Sequence, residues 1–101
     1  MIPKHPKTLL VIIAEAALEK LLVRELRLLG AQGWTVGEVR GAGHERVREG
    51  AWEADRTIEM KILCDAEVAD AIAEHVLQHY APHYSIAMYF SAVAVLRPQR
   101  Y

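Results

Sequence analysis

Cysteine is almost absent: Cys64 is the only one in 101 residues. That excludes an intrachain disulfide and any metal site built from several cysteines, and it fits a reducing, cytoplasmic setting. An excess of one charge is also missing. Twelve Lys and Arg against 13 Asp and Glu leave a formal net charge of −1, so no basic face for nucleic acid is expected. Long apolar runs are lacking. LLVIIA (9–14) is far shorter than the roughly 18 to 20 residues of a membrane span, and Glu15, Glu19 and Lys20 follow at once with no cleavage-site pattern. No membrane insertion is expected, and MIPKHP (1–6) reads as a disordered leader.

Catalytic patterns are missing as well. Ser85 and Ser91 have no GxSxG context. Cys64 precedes a helix that could lower its pKa, but no base is placed beside it, and an inert structural thiol is expected. The chain is read as non-enzymatic.

What is present is 52% hydrophobic residues in a single short domain, 1–101. A domain this small buries a limited share of its surface, so association with other copies is a reasonable expectation. TLLVIIA (8–14) is a continuous aliphatic run, the mark of a central strand. Residues 15–30 switch to helical spacing. Leu18, Leu22, Leu26 and Leu29 form a stripe that Leu21 and Leu28 widen, and Gly30 ends the helix. No Ser, Thr, Asp or Asn caps its start.

GWTVGEVR (33–40) is a second strand, and RTIEMKIL (56–63) a third with Ile58, Met60 and Ile62 on one face. The two form an antiparallel pair around a charged loop, 41–55. Asp65 caps a second helix. Val68, Ile72 and Val76 run down its inner face with Ala69, Ala73, Leu77 and Tyr80 beside them, and Pro82 stops it. SIAMYFSAVAVL (85–96) is the last strand. Its Tyr89 and Phe90 point to opposite faces, so at least one of them is expected in the core. The order β-α-β-β-α-β predicts an α+β, ferredoxin-like fold: a four-stranded antiparallel sheet with two helices on one face.

This plan hosts many functions, so function rests on sites. In loop 41–55, Gly41 and Gly43 free backbone amides to approach an anion, and Arg40, Arg46 and Arg48 supply cations. A solvated charged loop is the plainer reading, but Trp52 suggests a docking ring. His75 and His79, spaced i,i+4, could share a zinc ion; a polar helix edge is the plainer account of them, since HExxH is not formed. An acylphosphatase would need an arginine after the first strand and an asparagine. A metal chaperone would need CxxC there, and an RNA-recognition motif needs aromatics on RTIEMKIL. None is present.

GAQGWTVGEVRGAG (30–43) resembles the matching stretch of PII signalling proteins. Gly30, Gly33, Thr35, Val36, Glu38, Val39, Arg40, Gly41 and Gly43 fit their second strand and the G-x-G that opens their T-loop. REGAWEAD (48–55) is similar to the T-loop's return, and VLR (95–97) to the end of the final strand. The resemblance implies a homotrimer with adenine nucleotides in clefts between subunits. The loop 41–55 would respond to the ligand and dock onto a target protein.

By position, the resemblance puts Thr35, Gly41, Gly43, Arg46, Leu63 and His83 around the nucleotide, with Arg97 reaching from a neighbour. His44, Arg48 and Trp52 would face the target. The family's TGxxGxGK loop is replaced by HYAPHYSI (79–86), so a nucleotide with fewer phosphates, ADP or AMP, is implied. No tyrosine lies between 41 and 55, so uridylylation there is not expected. These departures resemble the carboxysome-associated PII-like branch, for which bicarbonate is a further implied ligand. A divalent-metal-binding trimer, resembling divalent-cation tolerance proteins and using His75 and His79, is the alternative.

Overall fold

The computed structural model describes residues 1–42, 47–48 and 56–101. Its elements are β1 (His5–Glu15), α1 (Glu19–Leu28), β2 (Thr35–Val39), β3 (Gly41–Ala42), β4 (Val47–Arg48), β5 (Thr57–Cys64), α2 (Ala66–His79) and β6 (Ala87–Val95). The main sheet is antiparallel in the order β2-β5-β1-β6, as the βαββαβ pattern requires. The interval 41–55, expected as a flexible loop, opens with a two-residue ladder in which Gly41 faces Arg48 and Ala42 faces Val47.

Strand alternation sorts the sheet into two faces. Leu10, Ile12 and Ala14 of β1 and Ile58, Met60, Ile62 and Cys64 of β5 pack with Leu18, Leu22 and Leu26, and with Ala69, Ile72, Ala73 and Val76 of α2. Both helices therefore cover the same face. Burial of each large aliphatic side chain here stabilises the fold by roughly 1.5–3 kcal/mol. On the other face lie Leu9, Val11 and Ile13, beside Glu59, Lys61 and Leu63 of β5 and Tyr89, Ser91 and Val93 of β6. Only Val11 at the centre of that row is fully buried; Leu9 and Ile13 are half-buried.

Four expectations need correction. Residues 5 and 6, expected in a disordered leader, belong to the sheet: β1 starts at His5, and His5 and Pro6 pair with Val95 and Ala94. Pairing to β5 ends at Thr8, so Pro6 sits where β1 has a free edge, a place that tolerates a residue without an N–H. Neither Tyr89 nor Phe90 is core; each is about half exposed, because β6 is an edge strand. Leu28 is 76% exposed and Leu21 41%, so they widen the apolar stripe of α1 into solvent rather than into the core. Leu77, placed beside the inner row of α2, is likewise exposed.

Helix starts follow from local chemistry. Lacking a capping side chain, the first helical stretch enters through a 3-10 turn, Ala16–Leu18, before α1 forms. Asp65 does stand at the N-cap of α2, in extended backbone. Its carboxylate makes no capping bond; it accepts from Lys7 Nζ at 2.7 Å instead.

Gly30 closes α1 at φ 111°, a conformation that disfavours any Cβ. Gly30→Ala is expected to destabilise the fold by about 1–2 kcal/mol. At Gly37 an added Cβ would meet open space, so alanine there is expected to be tolerated, with a change no larger than about 1 kcal/mol and toward greater stability. Urea midpoints at constant slope separate the two; equal losses would refute the assignment.

Candidate functional site at the base of the 41–55 loop

The chain leaves the sheet at the end of β2 and returns at the start of β5. Antiparallel pairing sets Val39 opposite Thr57 and Glu38 opposite Ile58, so both loop stems sit at one end of the sheet. Glu38, Val39, Arg40, Arg56 and Thr57 line a cleft of about 230 Å³ there. Arg56 reaches across the pair to Glu38, 3.3 Å from its Oε1, and both side chains remain largely exposed. Such an ion pair contributes little to stability, which leaves the guanidinium available to another anion. No ion pair engages Arg40 among the described residues.

Thr57 is the unusual member. It is 4% exposed, and its Oγ1 is the one buried side-chain polar atom without a hydrogen-bond partner among the described residues. A buried hydroxyl left unpaired carries a desolvation penalty of about 1–3 kcal/mol. Thr57 lines the same cleft as Arg40 and Arg56, and guanidinium groups bind planar oxygens in pairs, so the cleft suits a small oxyanion. Sequence reasoning missed Arg56 and Thr57 as site residues. Alternation put Thr57 on the polar face of β5, and no sequence signal marks its burial, which comes from packing at the loop stem.

The expected nucleotide residues fall in two places within one chain. Gly41 opens β3 next to the cleft. Thr35 lies at the far end of β2, paired with Lys61, and Leu63 follows two residues along β5. Arg97 lies beyond β6, exposed, at the same end as Leu63, since Val95 pairs with His5. His83 is exposed in the turn after α2, where its N–H and that of Tyr84 both donate to the Tyr80 carbonyl at 3.0 Å. Those amides are thus engaged within the turn. Gly43, His44, Arg46 and Trp52 lie outside the described residues, and Arg48 is placed on β4 by its backbone.

The histidines named as the alternative metal pair lie on one side of α2. His75 and His79 do face one way, with ring centroids 4.4 Å apart. However, His75 Nε2 donates to Glu25 Oε2 at 2.7 Å, and the Tyr80 hydroxyl donates to Glu25 Oε1 at 3.5 Å. This set ties α2 to α1. Burial first, then the Glu25 carboxylate, pushes the Tyr80 hydroxyl up. Among the described residues no three His, Cys, Asp or Glu side chains are grouped to hold a metal ion.

Cys64 is buried, and burial, followed by the Asp65 charge, pushes its thiol up against the smaller lowering effect of Lys7. It packs within the apolar core. No helix is long and apolar enough to cross a membrane among the described residues.

Thr57→Val removes the unpaired hydroxyl and is expected to stabilise the unliganded protein by about 1 kcal/mol. Chemical denaturation tests this; a loss of stability would mean that Oγ1 is satisfied in solution.

The family model for nitrogen regulatory protein P-II matches residues 7–100. A PII-like signalling protein from Thermus thermophilus is 35% identical, with 99% of each chain covered and a TM-score of 0.86. CPII from Thiomonas intermedia, solved bound to ADP and bicarbonate, has a TM-score of 0.88 at 24% identity, over 99% of this chain and 98% of that one. The same protein was also solved with ADP, AMP and bicarbonate. No curated protein matches. With a family match over nearly the whole length, and a sheet whose second and third strands carry the loop stems at one end, the chain belongs to the nitrogen regulatory protein P-II family of non-catalytic signalling proteins.

Proposed function

We propose that this PII-like signalling protein is a homotrimer that senses an adenine nucleotide together with a small oxyanion at the base of loop 41–55. The cleft between Arg40, Arg56 and Thr57 carries this reading. It unites two cations with a buried hydroxyl that has no partner in the described chain. Bicarbonate is planar, carries one charge and both donates and accepts, which matches that donor set.

The nucleotide lies along β2, its base toward Thr35 and Leu63 and its phosphates toward Gly41, Gly43 and Arg46. Arg97 reaches in from the neighbouring subunit, since in its own chain it follows β6, which two strands separate from β2 in the sheet. ADP or AMP is favoured over ATP. The turn before β6 has neither glycine nor lysine, and its amides at His83 and Tyr84 are taken by Tyr80; the side chains of His83 and Tyr84 stay exposed to meet a phosphate. CPII, which shares the fold, was solved with ADP, AMP and bicarbonate.

The bare sheet face supplies the surface through which three chains would meet. Its central Val11 is buried while Leu9, Ile13 and Tyr89 beside it stay partly open, a pattern that suits cover by other copies. Signalling is a population shift: the ligands favour one conformation of 41–55, in which His44, Arg48 and Trp52 meet a cytoplasmic target protein.

Isothermal titration in bicarbonate-free buffer tests the reading. ADP or AMP is expected to release heat at one site per chain, and added bicarbonate to tighten ADP. Arg40→Ala is expected to weaken the bicarbonate-dependent complex by about 10- to 100-fold, the worth of a charged hydrogen bond. Thr57→Val should abolish the bicarbonate effect while leaving nucleotide binding without bicarbonate intact, and Arg97→Ala should weaken the nucleotide itself. Silence with every adenine nucleotide would overturn it.

A further inference from the structure

The outward faces of the two helices carry opposite charge. On α1, Lys20, Arg24 and Arg27 are exposed and recur at helical spacing, opposite the buried Leu22 and Leu26. Neither Lys20 nor Arg27 has an ion-pair partner among the described residues, and Arg24 meets only its sequence neighbour Glu25, at 4.0 Å. With Val23 and Leu28 these cations line a shallow groove of about 500 Å³. On α2, Glu67, Asp70 and Glu74 are exposed opposite the buried Ala69, Ile72 and Val76, and among the described residues none of the three is paired. Each stripe is flanked by leucine in water: Leu28 at 76% and Leu77 at 58% exposure.

We infer that this helical layer binds the helical layer of a second copy of the chain. The two helices lie side by side on one face of the sheet, so a two-fold axis running between two such layers sets α1 of each copy over α2 of the other. Three cations then meet three carboxylates, twice, and Leu77 of one copy enters the groove beside Leu28 of the other. The contact is self-complementary, which is what a closed two-fold interface demands. A chain with net charge −1 and a sequence pI near 6.5 has little overall repulsion to oppose it. An acidic peptide or an anionic bilayer would use only the α1 stripe and leave the acidic one idle; a second copy uses both. The surface is separate from the bare sheet face and from the loop cleft, and it depends on neither.

Because its charges are exposed, the contact is weak and sensitive to salt. Sedimentation measured across protein concentration, in about 20 mM and about 500 mM salt, tests it, since screening lengths in the two differ severalfold. The mass is expected to rise at least twofold at low salt over the high-salt value, whether the high-salt unit is one chain or three. Arg24→Glu with Arg27→Glu is expected to abolish the rise, as is Asp70→Lys with Glu74→Lys. An equimolar mixture of the two double variants is expected to restore it, since each then offers the stripe that the other lacks. Circular dichroism confirms that both variants fold, and the mixture guards against a loss caused by misfolding. No rise for the native chain, a rise that salt leaves unchanged, or a mixture that stays at the high-salt mass would overturn the inference. So would α1-variant loss of binding to phosphatidylserine vesicles with no change in self-association.

Discussion

Helices cover one face of this sheet and leave the other bare. Both crossover helices pack on the side of Leu10, Ile12, Ile58, Met60 and Ile62, and the remainder of the structure follows from that asymmetry. The covered face holds the apolar core that stabilises the chain. The bare face keeps Val11 under cover but leaves Leu9 and Ile13 half in water, with Tyr89 more exposed still. In a domain of this size the apolar surface outruns what one layer of helices can hide, so the uncovered face is a natural seat for other copies. The helices, turned outward, keep their charged stripes for a separate contact.

The same topology positions the loop stems. Pairing of β2 with β5 brings Val39 against Thr57 and thereby gathers Arg40, Arg56 and an unpaired hydroxyl at one spot. Rigid strands hold these groups where the polypeptide departs into 41–55. An anion bound there would touch both stems at once, which would give it a physical handle on the loop. The expected nucleotide contacts at Thr35 and Leu63 lie at the other end of the same strand pair. A ligand long enough to run along β2 would link the two ends, whereas Arg97 stands remote from the cleft in its own chain.

Much of the fold was legible in the sequence because hydrophobic periodicity reports burial directly. Ile58, Met60 and Ile62 alternate as a half-buried strand must, and Leu22 and Leu26 mark the inner line of α1. The misreadings share a cause: periodicity shows which residues can face inward, and tertiary cover decides which do. Leu21, Leu28 and Leu77 continue apolar stripes past the width of the contact. Tyr89 and Phe90 occupy an edge strand with no second layer over them. His5 and Pro6 look like a leader by composition, yet β6 is long enough to pair with them. At the site, the glycines and Arg40 carried a readable family pattern. Thr57 did not, because an orphaned hydroxyl is a property of packing and has no sequence signature.

If three chains join through the bare sheet face, adenine nucleotides are shared between them. Native mass spectrometry of the protein with ADP, sprayed from high-salt-exchanged solution, tests it most directly. The expected result is a complex of three chains carrying up to three nucleotides, with occupancy lost when the chains are separated. A single chain that keeps its nucleotide, or a three-chain complex that carries none, would contradict it.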